Sequence, residues 1–217
     1  MLETVDRLIA KRLRLPSFAR WRKQFQALRQ AQRQPIHWGV EPENALVALL
    51  PRIEPDDNVL VIGAGVQGEA CLLAALDAQV TFVDEDLGVV DQLEARITGE
   101  SLAAQFMAYV AALGEWLPPL DRALDLAVLD AATLATLSPG RRRSLLLAVR
   151  EQTRPGGVHV LLPGVGAAAP EGYLSHYPDW QREPVLPRRR GKAARSGGVV
   201  LVRPAETLPT SSQLGSA

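Results

Sequence analysis

VLVIGAGVQGEACLLAALDAQVTFVD, residues 59–84, decides the fold. An apolar run, Val59 to Ile62, ends in Gly63-Ala64-Gly65; a helix-forming segment runs from Gly68 to Leu76; a second apolar run, Val80 to Val83, ends in Asp84. This is the pattern of a strand, a tight turn, a helix and a second strand. The glycines let the backbone come close to a ligand, and the helix start offers free N–H groups. A carboxylate at the end of the second strand is placed to accept hydrogen bonds from both ribose hydroxyls of an adenosine.

Working outward, the same alternation continues. Asn44 to Leu50 predicts a short helix, and Glu54-Pro55-Asp56-Asp57-Asn58 a turn into the first strand. A helix is predicted at about Leu87 to Ile97, and the third strand falls within Ser101 to Leu113, where the periodicity is mixed. Leu124 to Leu129 reads as a buried strand and Gly140 to Thr153 as a helix; the turn Arg154-Pro155-Gly156-Gly157 then leads into a strand at Val158 to Leu162. Two last strands, at about Trp180 to Leu186 and Val199 to Val202, are joined by a segment too short for a right-handed crossover, so they must pair antiparallel. The expected fold is α/β: a Rossmann-like, doubly wound, mostly parallel seven-stranded sheet with the last strand antiparallel, plus an N-terminal helical extension.

Three regions follow: a basic helical extension at residues 1–35, the sheet domain at 36–203, and a tail at 204–217 expected to be disordered. Residues 1–34 hold nine Lys or Arg against Glu3 and Asp6, a net charge of +7, and residues 182–203 hold seven against Glu183, a net of +6. The block between them, 35–181, has eight basic and twenty acidic residues, a net of −12. Leu2, Val5, Leu8 and Ile9, and after Pro16 the residues Phe18, Trp21, Phe25 and Leu28, recur at helical spacing, with Ser17 a candidate N-cap. Two readings fit this extension. It is a helical cap on the domain, as α/β folds commonly carry, or a basic amphipathic helix that docks on a membrane, a nucleic acid or a partner protein.

The single cysteine, Cys71, lies in the apolar pattern of the first core helix and reads as a buried thiol, so no disulfide framework is possible. Three scattered histidines and one cysteine lack ligand spacing, so no metal site is expected. No apolar run is of spanning length and no signal-peptide pattern occurs, which leads to the expectation of a cytoplasmic protein.

The corner at 59–84 fits two cofactors. Gly63-x-Gly65-x-x-Gly68 followed by Asp84 satisfies the dinucleotide fingerprint. A dehydrogenase also needs a Tyr–Lys pair or a His near the nicotinamide, yet Lys11, Lys23 and Lys192 all lie outside the sheet-forming block. The order of pieces instead resembles the class I S-adenosylmethionine-dependent methyltransferases, in particular their small-molecule and tellurite-resistance-type branch. The resemblance covers about residues 36 to 203. It rests on Trp38-Gly39-Val40-Glu41-Pro42, VLVIGAG, Val83-Asp84, Glu115-Trp116-Leu117-Pro118, the strand Asp125 to Leu129, Arg154-Pro155-Gly156-Gly157 and the closing GGVVLVRP.

The resemblance implies S-adenosylmethionine as cofactor and a small-molecule methyl acceptor. Gly63, Ala64 and Gly65 would pass under the methionine and ribose portion, Asp84 would bind the ribose hydroxyls, and Glu85 would lie beside the adenine. Asp130 would stand where the acceptor enters, or else cap a helix. His37 and Trp38 would close over the cofactor, or else form a packed corner. Asp130, Glu115, His37 and His176 are candidate general bases by location.

The sequence departs from the family pattern at Val61, where an acidic residue is usual, at Gln67, where a third glycine is usual, and at Ala112, where an aspartate commonly meets the adenine. Gly68 is then expected to take over part of the turn. These departures keep a second reading open: a methyltransferase-fold protein without catalysis that serves as a binding or assembly subunit. A dinucleotide-binding protein is the third. The basic segment Pro187 to Gly198, with Arg188, Arg189, Arg190, Lys192 and Arg195, is expected near the mouth of the site, where it would attract an anionic substrate. Nucleic acid is not the expected partner, because no stacking aromatics are interleaved with these charges.

Overall fold

The computed structural model describes residues 12, 16–164, 169–184 and 197–205. The first predicted helical piece, most of the basic segment 187–198 and most of the tail lie outside these residues. Seven strands form one sheet: β1 (Asn58–Ile62), β2 (Gln79–Asp84), β3 (Phe106–Val110), β4 (Leu124–Asp130), β5 (Thr153–Leu162), β6 (Gln181–Glu183) and β7 (Val199–Val202). The order across the sheet is β3-β2-β1-β4-β5-β7-β6. β1 to β5 pair in parallel, while β7 runs antiparallel to both of its neighbours, β5 and β6. This is the expected sheet.

The helices are α1 (Phe18–Gln32), α2 (Ala45–Leu49), α3 (Gln67–Ala75), α4 (Leu87–Gly99), α5 (Ala131–Thr136) and α6 (Pro139–Gln152). Covering both faces buries the central strands completely, which is why β1 reads as an unbroken apolar run rather than an alternating one. Val59, Val61, Phe82 and Val160 face α3 and α4; Leu60, Ile62, Leu129 and Leu161 face α5 and α6. α3 is buried from Glu69 to Ala75, because the turn Pro35–Trp38 and the end of α1 lie over its outer side. Small residues at Ala70, Ala74 and Ala75 let that extra layer approach. Cys71 sits there fully buried, its thiol pushed up to about 11 by desolvation, in keeping with a structural role.

One local difference from the sequence reading has a clear cause. The predicted turn at Arg154 to Gly157 lies inside β5, not before it: Leu124 pairs with Thr153 and Leu126 with Val158, so four residues bulge out between consecutive pairings. Gly156, at φ +77°, makes the bulge possible, and the Arg154 side chain ties it to Asp125. α5 matches the alternative in which Asp130 caps a helix, although six residues are too few for a periodic signal of their own.

α1 meets the domain through its last turn. Its Ser17 N-cap accepts from the Arg20 N–H as expected, and its last turn is held firmly to the domain. Arg29 and Arg33 both reach Asp77, at 2.5 and 2.6 Å, and the buried Gln32 donates to Glu100. The preceding residues, 18–28, are all exposed.

On the α6 face, His159 of β5 is fully buried between Thr153 and Tyr177. The Thr153 hydroxyl donates to the Val149 carbonyl at 2.7 Å, so it must accept from His159 Nε2–H at 2.8 Å. Nδ1 is then left to accept from the Tyr177 hydroxyl at 3.0 Å. A second proton, on Nδ1, would require the Tyr177 hydroxyl to turn from donor to acceptor. Desolvation, reinforced by the charges of Arg150 and Arg203, lowers the imidazole from 6.5 to about 3.

The folded state therefore binds fewer protons than the unfolded chain between these two values. Stability from this group is complete above about pH 6.5 and is lost as pH falls towards 3. Between pH 7 and pH 4, urea unfolding of the wild type should lose up to about 3 kcal/mol more than that of His159→Gln. Equal losses in the two proteins would show that the histidine is not responsible.

Candidate functional site

A cleft of about 720 Å³ opens at the carboxyl edge of the sheet, between the ends of β1, β2 and β4. Its size suits a cofactor-sized ligand. Ala64, Gly65, Asp84, Glu85 and Asp130 all line it, together with Leu87 and Thr133. Five of the six residues predicted to hold a cofactor thus meet in one place. Gly63 lies just behind them, where its amide donates to the Val83 carbonyl at 3.2 Å.

The turn after β1 depends on glycine at Gly63, which has φ +108°. A Cβ there would lie 2.5 Å from Thr133 Oγ1 and 2.7 Å from Asp130 Cβ. One at Gly65 would lie 2.8 Å from Asp130 Oδ2. What approaches these glycines closely is therefore the start of α5. Gly68 does not share in the turn as expected: it belongs to α3, and its missing Cβ makes room for the Trp38 carbonyl, 2.7 Å from where the carbon would be.

Asp130 caps α5, with Oδ1 accepting from Ala132 N at 3.0 Å. Oδ2 accepts from Thr133 N at 3.3 Å, Thr133 Oγ1 at 2.8 Å and Gly65 N at 3.3 Å. The carboxylate is 3% exposed and joins the ends of β1 and β4. Asp84 ends β2, buried, and accepts from the Asp86 N–H at 2.8 Å. Desolvation raises its pKa above the usual carboxylate value, and the charge of Asp86 adds to the shift. Next to it, Glu85 accepts from Leu113 N at 3.0 Å and from Arg141 Nη2 at 2.5 Å. Arg141 Nε lies 3.1 Å from Glu115 Oε1, within ion-pair range but without hydrogen-bond geometry. Glu115 therefore reaches the rim of the site only through Arg141.

The other candidates lie elsewhere. His37 Nε2 is 3.6 Å from Glu100 Oε2, beyond the end of α4, and does not line the cleft. Trp38 is packed inside, its Nε1–H donating to the Gln32 carbonyl at 2.6 Å with the Arg96 guanidinium over its ring. The packed-corner alternative describes it. His176 receives Arg150 at its carbonyl, on the far side of α6.

Sequence reasoning missed Arg141, Thr133 and Glu69. Thr133 was legible in part, since Asp-x-x-Thr is a capping spacing. Glu69 lies in the first turn of α3, is 8% exposed and accepts from Asn44 Nδ2 at 2.7 Å; burial raises its pKa. Among the described residues, no group of three or more His, Cys, Asp or Glu is placed to hold a metal ion, and no helix is long and apolar enough to cross a membrane.

No family model matches the chain, and no curated protein matches it. Solved structures do. The N-methyltransferase NodS from Bradyrhizobium japonicum WM9 shares 12% identity, with a TM-score of 0.50 over 88% of this chain and 99% of that one. A protein assigned as an rRNA methylase from Clostridium thermocellum shares 14%, with a TM-score of 0.50 over 73% of this chain and 96% of that one. The CcbJ methyltransferase from Streptomyces caelestis shares 18%, with a TM-score of 0.47 over 55% of this chain and 48% of that one. The chain thus spans about half the length of CcbJ, and likewise of the glycopeptide N-methyltransferase MtfA in its S-adenosylhomocysteine complex (52%). At such identities the likeness is one of fold, and that fold is the Rossmann-like fold of methyltransferases.

Gly63→Ala should destabilise the protein by about 2–4 kcal/mol, from backbone strain and overpacking together. In a Thr133→Ala background the cost should fall, since the contact with Oγ1 is removed while those with Asp130 Cβ and Thr133 Cβ, and the positive φ, remain. Identical costs in the two backgrounds, measured by urea unfolding, would rule out the contact.

Proposed function

We propose that this chain is an S-adenosylmethionine-dependent methyltransferase acting on a small-molecule acceptor. The observation that carries the reading is the placement of the cleft in this particular sheet. It lies between the ends of β1 and β4, where the strand order reverses, with the glycine turn on one side and Asp84 on the other. The reversed β7, inserted between β5 and β6, separates the sheet from the all-parallel order usual for dinucleotide binding.

The residues present fit the cofactor. The turn Gly63-Ala64-Gly65 supports its methionine and ribose end, and Asp84 accepts from the ribose hydroxyls. Glu85, held by Arg141 and Leu113 N, sets the rim beside the adenine. When bound, the cofactor supplies a methyl group on a sulfonium, a good leaving group. The chain has to align the acceptor with that methyl group and exclude water. Of the candidate bases only Asp130 lines the cleft, and its carboxylate already accepts four hydrogen bonds, about the capacity of the group. Asp130 thus acts as a strut, and catalysis rests on alignment.

Pro184 and Gly197 flank the basic segment 185–196 at the same edge as the cleft, as β6 ends and β7 begins there. The proposed acceptor includes anionic small molecules, a reading supported by the position of these flanking residues and the charge of the segment between them. The branch within the family, small-molecule and tellurite-resistance-type, belongs to this reading as well.

A binding subunit without catalysis is the second reading. It is favoured by Gly65 N–H, which Asp130 already uses, and by Val61, buried under α3 where the family carries an acidic residue.

Calorimetric titration separates the readings. The wild type should bind S-adenosylhomocysteine with a Kd in the micromolar range, and Asp84→Ala should weaken it by about 5–150-fold, the loss of 1–3 kcal/mol. Binding of NAD⁺ alone would put the dinucleotide reading first. An absence of binding at millimolar concentration would favour the non-catalytic subunit.

A further inference from the structure

The first three turns of α1 touch little of the domain. Phe18 is 72% exposed, Trp21 48%, Phe25 42% and Leu28 40%. The three rings form one continuous ridge, which Leu28 extends at helical spacing: Phe18 stacks on Trp21 with ring centroids 5.8 Å apart, and Trp21 on Phe25 at 5.3 Å. An eleven-residue segment exposed on every side, residues 18–28, is too short to hold its helix in water from propensity alone. A large apolar ridge rimmed by polar groups marks a docking surface.

Charge decides among the occupants. α1 contains Arg20, Arg22, Lys23 and Arg29 and no acidic residue. Arg29 is committed to Asp77, while Arg20, Arg22 and Lys23 form no ion pair among the described residues. At 3.6 residues per turn, Arg22 and Arg20 stand on either side of the ridge, about 80° and 120° from its centre. Both can therefore reach past it to the same plane. The residues before the helix add Arg7, Lys11, Arg12 and Arg14 against Glu3 and Asp6. A second copy of α1 would bring like charges together with no carboxylate to meet them. An aromatic ridge flanked by arginines, on a helix with no negative charge, suits a bilayer interface rich in anionic lipid.

We propose that α1 docks this chain onto anionic membrane surfaces, with Phe18, Trp21 and Phe25 entering the interface and Arg20 and Arg22 meeting lipid phosphates. The inference is independent of the methyl-transfer reading. α1 is fastened by Asp77 and the Ala75 carbonyl, just before β2 and thus at the amino edge of the sheet. The cleft opens at the carboxyl edge. Docking therefore leaves the cleft open to the aqueous phase, while the net −12 of residues 35–181 keeps the domain off the surface.

Vesicle flotation of the full chain tests this. With equimolar phosphatidylglycerol and phosphatidylcholine the wild type should float, and with phosphatidylcholine alone it should float at least tenfold less. The triple variant Phe18→Ser, Trp21→Ser, Phe25→Ser should lose binding at least tenfold while its thermal midpoint stays within a few degrees. Arg20→Gln with Arg22→Gln should lose the preference for the anionic lipid. A measurement on the unaltered ridge adds a check: bromine-labelled lipid should quench tryptophan emission in the wild type but not in Trp21→Phe. Failure to float with the anionic vesicles would overturn the proposal, as would flotation of the triple variant equal to that of the wild type. Self-association without lipid that the triple variant abolishes would also overturn it, in favour of a second copy as the occupant.

Discussion

Asp130 holds the site together. One buried carboxylate accepts from the backbone of the β1 turn, from two amides of α5 and from the Thr133 hydroxyl. Three of these donors belong to the start of α5 and one to the turn after β1, so the carboxylate that ends β4 ties both to its own strand. Without this shared acceptor, the β1 turn and the α5 start would lose the hydrogen bonds that tie them together, each worth about 0.5–1.5 kcal/mol at a part-exposed place. The requirement for glycine at Gly63 follows from the same interaction, because α5 can reach the turn only if nothing projects from it. The shape of the cleft is thus set before any ligand arrives.

The fold was legible because its determinants are local. Val59 to Ile62 is a continuous apolar run and Val80 to Val83 is interrupted only by Thr81, as suits strands covered on both faces, and the absence of a helical pattern between the last two strands favours antiparallel pairing. The site was legible for a different reason. Asp84 was placed by the end of its strand and Glu85 and Asp130 by the resemblance, and the three meet because residues just past the ends of neighbouring strands converge in a doubly wound sheet. What the sequence did not reveal depends on side chains meeting across distance. Nothing near Arg141 announces that it will reach Glu85, 56 residues earlier in the chain. His37 and Glu115 looked suitable because they stand near motifs, but nearness in sequence does not fix where a side chain points. The ridge of α1 was visible as periodicity, whereas its exposure was not: the same spacing serves a buried stripe and an unburied one.

The charge distribution now has a structural layout. Asp77, in the corner between α3 and β2, takes Arg29 of α1 and Arg33 just past its end, and so joins the basic extension to the acidic domain. Each of these side chains is partly exposed, so the clamp is weak by itself. Gln32, buried and bonded to Glu100, and the Trp38 indole, bonded to the Gln32 carbonyl, make the junction specific.

β7 is the last strand among the described residues, yet it occupies an interior place in the sheet. β6 pairs with nothing else, so it has no site on the sheet until β7, sixteen residues later, has been added. During synthesis the chain would present a sheet ending at β5, with an open edge of unpaired backbone groups and β6 still undocked. Closure of that edge is therefore a late event on the ribosome, and until then β5 is the part of the molecule most open to wrong pairing.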